Sequence, residues 1–239
     1  MDNAGYAALT RQTGLMREMQ IVANNIANMA TTGYRRESMV FTEFVRALDG
    51  SESMSMSTSG AAYTSEIQGA LTRTGRSLDL AIEGEGYFLI ATPEGEMLTR
   101  AGSFVMSEDG GIVTADGMAL LDAGGAPIVV PPGTAGISVA SDGTLSGDGL
   151  PLAQIGLWQT PPPGGADRRA GTRFAPAGAP VPALEGAGRI VQGFLEASNV
   201  SPVAEIARMI EVQRAYELGQ GFLEREDART RAVIQSFAR

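Results

Sequence analysis

Cysteine, histidine and lysine are all missing from this 239-residue chain, whose 18 basic residues are every one arginine. Disulfides, thiolate nucleophiles, the usual zinc sites, Ser-His-Asp triads, Schiff bases and the phosphate-loop lysine each need one of those residues and are excluded. Zero cysteine leaves the redox compartment open, because a reducing cytosol and an exported protein without disulfides both fit it. Positive charge is scarce as well. A net charge of -9 argues against nucleic acid as a partner, since such binding rests on clustered basic side chains. Long apolar runs are lacking too: no stretch approaches the roughly 20 apolar residues of a membrane-crossing helix. The opening Met1-Asp2-Asn3-Ala4-Gly5 has neither the basic nor the apolar region of a cleavable signal. The expectation is a soluble protein that, if it is exported, leaves by another route.

What is present is patterned from both ends inward. Near the N-terminus Ala8, Leu15, Met19, Val22, Ile26 and Met29 recur at helical spacing, as do Val203, Ile206, Met209, Tyr216, Leu223, Ile234 and Phe237 near the C-terminus. Such spacing places each set on one helical face, and a period near 3.5 keeps that face turned toward a partner helix. The first helix is predicted from about Ala4 to Asn28, where Asn24, Asn25 and Asn28 lead into Thr31-Thr32-Gly33, residues that compete with helix or take positive φ. The second starts at Ser201-Pro202, with Ser as cap, Pro in the first turn and Glu205 favourably placed for the helix dipole. Residues 34–48 fit a short strand or a helix equally, and the Ser- and Met-rich stretch Asp49–Gly60 reads as a mobile connection.

Between the helices the period changes. Short apolar runs at Leu78–Ile82, Tyr87–Ala91, Ser103–Met106, Ile112–Val113, Met118–Leu121, Ile128–Val130, Ile137–Ala140 and Ile155–Trp158 alternate with turns. Those turns include Asp116-Gly117, Gly124-Gly125, Asp142-Gly143 and Asp148-Gly149, which supply the positive φ that tight hairpins need. The fold class is therefore α+β: long terminal helices form a coiled-coil-like core domain, and an all-β domain is inserted between them. The expected divisions are an N-terminal helical segment at 1–35, an extended connection at 36–76, the β domain at 77–160, a Pro/Gly/Ala-rich return connection at 161–200 and the C-terminal helix at 201–239. Amphipathic helices ordinarily cover their own domain's core. Stripes at both ends of a chain with a looped-out middle favour assembly with other subunits.

The candidate chemical motifs resolve into ordinary structure. Glu83 and Glu85 would be the carboxylate pair of a glycoside hydrolase, but Gly84 and Gly86 make that segment a turn between strands. Gly75-Arg76-Ser77-Leu78-Asp79 lacks the final glycine of a nucleophile elbow. Asp142-Gly143-Thr144 has the wrong residue order for an aspartic-protease triplet, and the remaining acidic turns are solvated hairpin ends rather than calcium loops. No catalytic residue, cofactor site or metal site is assigned. An exported carboxylate-dependent enzyme and a surface adhesin are the competing readings. The first needs acidic residues facing one cleft, and the second needs a signal or anchor.

Several segments together resemble the rod and hook proteins of the bacterial flagellum. They are Asn24-Asn25-Ile26-Ala27-Asn28 with Thr31-Thr32-Gly33-Tyr34-Arg35, the run Leu78–Phe88, the segment Thr99–Phe104 with Asp109-Gly110 and Thr114–Gly117, Gly193–Val200, and Met209–Glu217. Within that family Pro127–Pro131 leading into Ala140–Thr144 resembles the proximal-rod members most, with the distal-rod members as runner-up. The resemblance implies a structural, non-enzymatic subunit of the basal-body rod in the periplasm, exported by the flagellar type III apparatus without a cleaved signal. It implies as partners other copies of itself, other rod subunits both proximal and distal, and the export apparatus during secretion, with no small-molecule substrate. It also implies an assembly interface of Leu15, Met19, Val22, Asn25, Ile26, Asn28, Ile206, Met209, Ile210, Gln213, Tyr216 and Leu223. Met29 and Glu224-Arg225-Glu226 depart from the apolar stripe of that family.

Overall fold

No proline interrupts residues 2–27, and the chain there winds into helix α1, Asp2–Ala27. The computed structural model describes residues 2–48, 51–159, 166–176, 178–184 and 186–237. The chain divides into a helical unit (Met1–Ala27, Arg36–Ser65, Val200–Arg239) and a β unit (Asn28–Arg35, Glu66–Asn199). The expected Pro161–Gly165 stretch and Asp49-Gly50 lie outside the described residues.

In the helical unit, α1 lies against helix α2, Pro202–Phe237, and against a hairpin of strands β1, Glu37–Leu48, and β2, Ser51–Thr64. The hairpin is antiparallel, with Glu37 opposite Thr64, Phe44 opposite Met56 and Leu48 opposite Ser51, and it carries register shifts at Met39/Phe41 and Arg46/Leu48. Residues 36–76, expected as an extended connection with a mobile stretch over Asp49–Gly60, hold this hairpin. Serine at 51, 53, 55, 57 and 59 alternates with other residues at the strand period of two. A reading weighted by hydrophobicity passes over that alternation, because serine and methionine look like linker composition. The open choice over residues 34–48 resolves as strand from Glu37 onward.

The β unit contains β3 (Leu71–Arg73), β4 (Leu80–Gly84), β5 (Phe88–Thr92), β6 (Gly95–Thr99), β7 (Phe104–Met106), β8 (Ile112–Thr114), β9 (Ala119–Leu120), β10 (Ser138–Val139), β11 (Thr144–Gly147), β12 (Leu150–Gln154), β13 (Trp158–Gln159), β14 (Ala166–Ala170), β15 (Arg173–Pro176), β16 (Val181–Pro182), β17 (Gly188–Gln192) and β18 (Phe194–Glu196). Among the described residues the largest sheet has the order β14-β15-β6-β5-β9-β8-β7, and all its neighbouring pairs are antiparallel. Alternation along its strands separates two apolar clusters. Phe88, Ile90, Met97, Phe104, Ile112 and Leu120 face a core completed by Leu80, Ile82, Ile128, Val130, Leu145 and Ile190. Leu89, Leu98 and Leu121 join Trp158 and Phe174 in the other.

Two strand expectations change in this unit. The run Ile128–Val130 makes a single bridge, Gly111 with Val129, rather than a strand, because Pro127 and Pro131 flank it and cannot donate to a ladder. The segment expected as a return connection over 161–200 supplies β14–β18: β15 pairs with β6, β17 with β4 over its full length, and β18 with β3. Its strands hold four arginines and three alanines among nineteen residues. They add to edges already set by the apolar strands, so the pairing comes from tertiary context rather than local composition.

Candidate assembly interface

Within the helical unit α1 and α2 run antiparallel: Asn25 meets Glu205, Glu18 meets Arg208, and Gln12 meets Tyr216. The apolar part of that contact is small. Leu15, Val22 and Val212 are buried, along with the polar side chains Gln12, Glu18, Asn25 and Glu205.

Asn25 and Glu205 are both at 0% exposure, and Glu205 lies in the first turn of α2, where its backbone N–H donates to Ser201 O at 3.0 Å. Its carboxylate accepts from Asn25 Nδ2 at 3.1 Å and from Arg36 Nε in a short ion pair. Asn25 also donates to Glu37 O at 2.8 Å and accepts from Glu37 N at 3.0 Å. Its amide therefore behaves toward β1 as the backbone of a neighbouring strand would, and a carboxylate of the same shape has no donor for that role. One asparagine thus fixes the end of α1, the start of β1 and the first turn of α2. A turn farther along, Arg208 donates to Glu18 at 2.7 Å and to Glu211 at 3.0 Å. Partial burial works against the Arg208 charge, but these two carboxylates outweigh it and raise its pKa. Gln12 Nε2 donates to Tyr216 O at 2.9 Å, in space left by a missing side chain: a Cβ on Gly219 would come within 2.5 Å of that nitrogen. Beside this contact Arg11, Leu15, Glu18, Arg208, Glu211, Val212 and Ala215 line a crevice of about 310 Å³.

Of the residues expected at the interface, Leu15, Val22 and Asn25 are buried between the elements of this unit, and Met19, Ile26, Met209, Tyr216 and Leu223 are half-buried there. Ile206, Ile210 and Gln213 face outward, with Ile206 52% and Ile210 45% exposed. Asn28 falls in the β unit, where its backbone carbonyl accepts from Thr31 N at 3.1 Å. Sequence reasoning credited Glu205 only with a dipole effect and passed over Arg36, Glu18 and Arg208. Charges without apolar periodicity gave it no signal.

Asn24–Asn28 with Thr31–Arg35 form the N-terminal signature of the rod and hook resemblance, and its second part, Thr31–Arg35, is built into the β unit. Gly33 has φ +70°, and a Cβ there would meet the Arg100–Ala101 backbone at 2.4 Å, so that position requires glycine. Its N–H donates to Glu196 O at 2.8 Å. The Glu196 carboxylate, 1% exposed, pairs with Arg35 at 2.9 Å and Arg100 at 3.2 Å and accepts from Gly69 N at 3.1 Å. Burial pushes the Arg100 pKa down, with Glu196 opposing the shift. Arg168 stacks over the rings of Tyr34 and Phe174 at 4.6 and 4.8 Å.

Of the two carboxylates of the enzyme reading, Glu83, near the end of β4, pairs with Arg189 at 2.7 Å, and both Glu83 and Glu85 are exposed.

Three family models match the chain: a flagella basal body rod protein model over residues 6–35, a flagellar hook protein FlgE/F/G D1 domain model over 81–147, and a flagellar basal body rod FlgEFG C-terminal model over 191–236. The flagellar basal-body rod protein FlgF of Caulobacter vibrioides is 41% identical over 224 residues, covering 91% of this chain and 90% of the relative. FlgF of Mesorhizobium japonicum is 38% identical over 218 residues, with the same coverages. This chain belongs to the flagellar basal-body rod protein family. The rod protein FlgG of Bacillus subtilis is more distant, at 32% identity over 241 residues, 89% of this chain and 90% of the relative. The matched N-terminal and C-terminal segments of this family member carry the Asn25–Glu205 knot and the Gly33–Glu196 contact.

Proposed function

We propose that the chain is a structural subunit of the bacterial flagellar basal-body rod, of the proximal kind, and that it is built into the shaft through α1 and α2. The observation that carries the assembly role is the second, outward apolar surface of the helices. Beyond the residues that bury each other, Leu9 and Met16 on α1 and Val203, Ile206, Ile210, Leu218 and Phe222 on α2 remain exposed. A helix that covered only its own core would turn polar residues outward there. Burying such faces against neighbouring subunits contributes roughly 25 cal/mol per Å² at every repeat, and many repeats make a stiff shaft that transmits torque across the periplasm.

On this reading the partners are further copies of the chain and other rod subunits, and the protein passes through the flagellar export apparatus without a cleaved signal. The proximal assignment is supported by FlgF relatives at 38 and 41% identity against 32% for the FlgG of Bacillus subtilis. Its role is mechanical rather than catalytic. Clean deletion of the gene tests the reading. Cells without filaments, and with rods truncated in isolated basal bodies, are expected, and intact filaments with normal swimming would overturn it.

A further inference from the structure

The main sheet of the β unit is covered on one face by the larger apolar cluster, and on the other by Leu89, Leu98, Leu121, Trp158 and Phe174 over part of its width only. From the margin of that cover, where Ala91 packs against the cluster, the register continues as a row of small or β-branched residues. Ala91 lies opposite Ala119, Ala119 opposite Val113, and Val113 opposite Val105 at the β7 edge. Each row member neighbours a core residue in sequence (Ile90, Leu120, Ile112, Phe104), so the row points to the uncovered face. Val129, bridged to Gly111, extends it sideways and is 57% exposed, and Val105 is 41% exposed.

The border of this strip is predominantly acidic, with Arg169 beside Glu94 and Glu96 at one corner. The β5–β6 turn and the start of β6 bring Glu94 and Glu96, the β8–β9 turn brings Asp116, and the opposite end carries Glu108 and Asp109 in the β7–β8 turn. Asp116 is paired with Arg173, whereas Glu94, Glu96, Glu108 and Asp109 have no ionic partner among the described residues. Two copies meeting through this strip would set carboxylate rims against each other, which opposes self-pairing.

We propose that the strip is a docking surface for a different polypeptide of the basal body, one that presents a flat apolar patch bordered by arginine or lysine. The inference rests on the rod reading and adds to it an interface on the β unit, separate from the helices. Small side chains keep the strip flat enough for a facing sheet or extended segment, and the carboxylates select a basic border.

The test places a photoactivatable side chain at Val113 of the full-length protein in cells, with adducts mapped by mass spectrometry in isolated basal bodies. Adducts to an arginine- or lysine-bearing peptide of another polypeptide are expected, their yield falling roughly tenfold when Glu108→Arg and Asp109→Arg oppose the basic border. Adducts only to the same strip of a second copy, or none in particles that contain the protein, would overturn the proposal. So would normal swimming of a strain carrying Val105→Glu and Val113→Glu, whose purified protein should keep its unfolding midpoint. Absence of the unsubstituted protein from the particles would remove the rod reading, and this proposal with it.

Discussion

The β unit and the helical unit spend their apolar residues in opposite ways. In the β unit Leu80, Ile82, Phe88, Ile90, Leu98, Ile112, Leu120, Val130 and Leu145 are all within 2% of complete burial, so this unit completes its own core. In the helical unit the buried polar side chains among the described residues, Gln12, Glu18, Asn25 and Glu205, are as many as the buried hydrophobic ones, Leu15, Val22, Val200 and Val212, and several large apolar side chains of both helices face outward. Buried hydrogen-bonded groups are poor sources of net stability but good selectors of register, because a slipped pairing leaves them unsatisfied. The difference points to a division of labour: the β unit is stabilised from within, while the helical unit fixes how its elements align and, on the proposed rod reading, gains further stability on assembly.

The sharpest way to break that comparison is Ile210→Asp. Ile210 is 45% exposed, so the isolated protein should change its unfolding free energy by no more than about 0.5 kcal/mol. In the rod a buried charge costs several kcal/mol, and swimming should be abolished. A swimming assay beside urea unfolding of purified protein checks both halves, and a motile strain would show that this face stays in water.

Next in size is Glu196→Gln, which leaves Arg35 and Arg100 buried without their shared counter-charge. The loss expected is about 3–5 kcal/mol, read from the urea midpoint of the β-unit transition. A shift below 1 kcal/mol would mean that the backbone contacts of Gly33 and Gly69, rather than the ion pairs, hold the signature segment in place.

The smallest effect sharpens the β side through pH. Burial pushes the Asp79 carboxyl upward, but hydrogen bonds from Arg76 and Thr74 and the Arg76 charge prevail, and its pKa is lowered from 3.8. A folded pKa below the unfolded one means that the stabilisation is complete above the unfolded value and is lost as pH falls through the folded one. Asp79→Asn should therefore lower the urea midpoint at pH 7 and flatten its decline below about pH 4. An unchanged acid limb in the variant would assign that decline to other carboxylates.

Much of this architecture was legible in the residues. Apolar spacing located both helices: α1 ends within one residue of the predicted Asn28, and α2 begins at the predicted Pro202. Alternating runs between Asp-Gly and Gly-Gly turns located much of the β unit, and the absence of Cys, His and Lys removes the catalytic devices that depend on them. These signals are local, because periodicity and turn chemistry act over a few residues.

What tertiary structure alone decided is non-local. Strands β15, β17 and β18 carry little pattern of their own and become strands because β6, β4 and β3 offer edges to them, and β14 and β16 follow on β15 and β13. The hairpin over Glu37–Thr64 hid a period of two behind linker-like composition. The division of the signature, with Asn25 locking the helical unit and Gly33–Arg35 locking the β unit, depends on Glu205 and Glu196. Those carboxylates lie 180 and 161 residues downstream of Asn25 and Arg35, and a sequence read a few residues at a time does not pair charges across that distance, whereas a folded chain brings them to 3.1 and 2.9 Å.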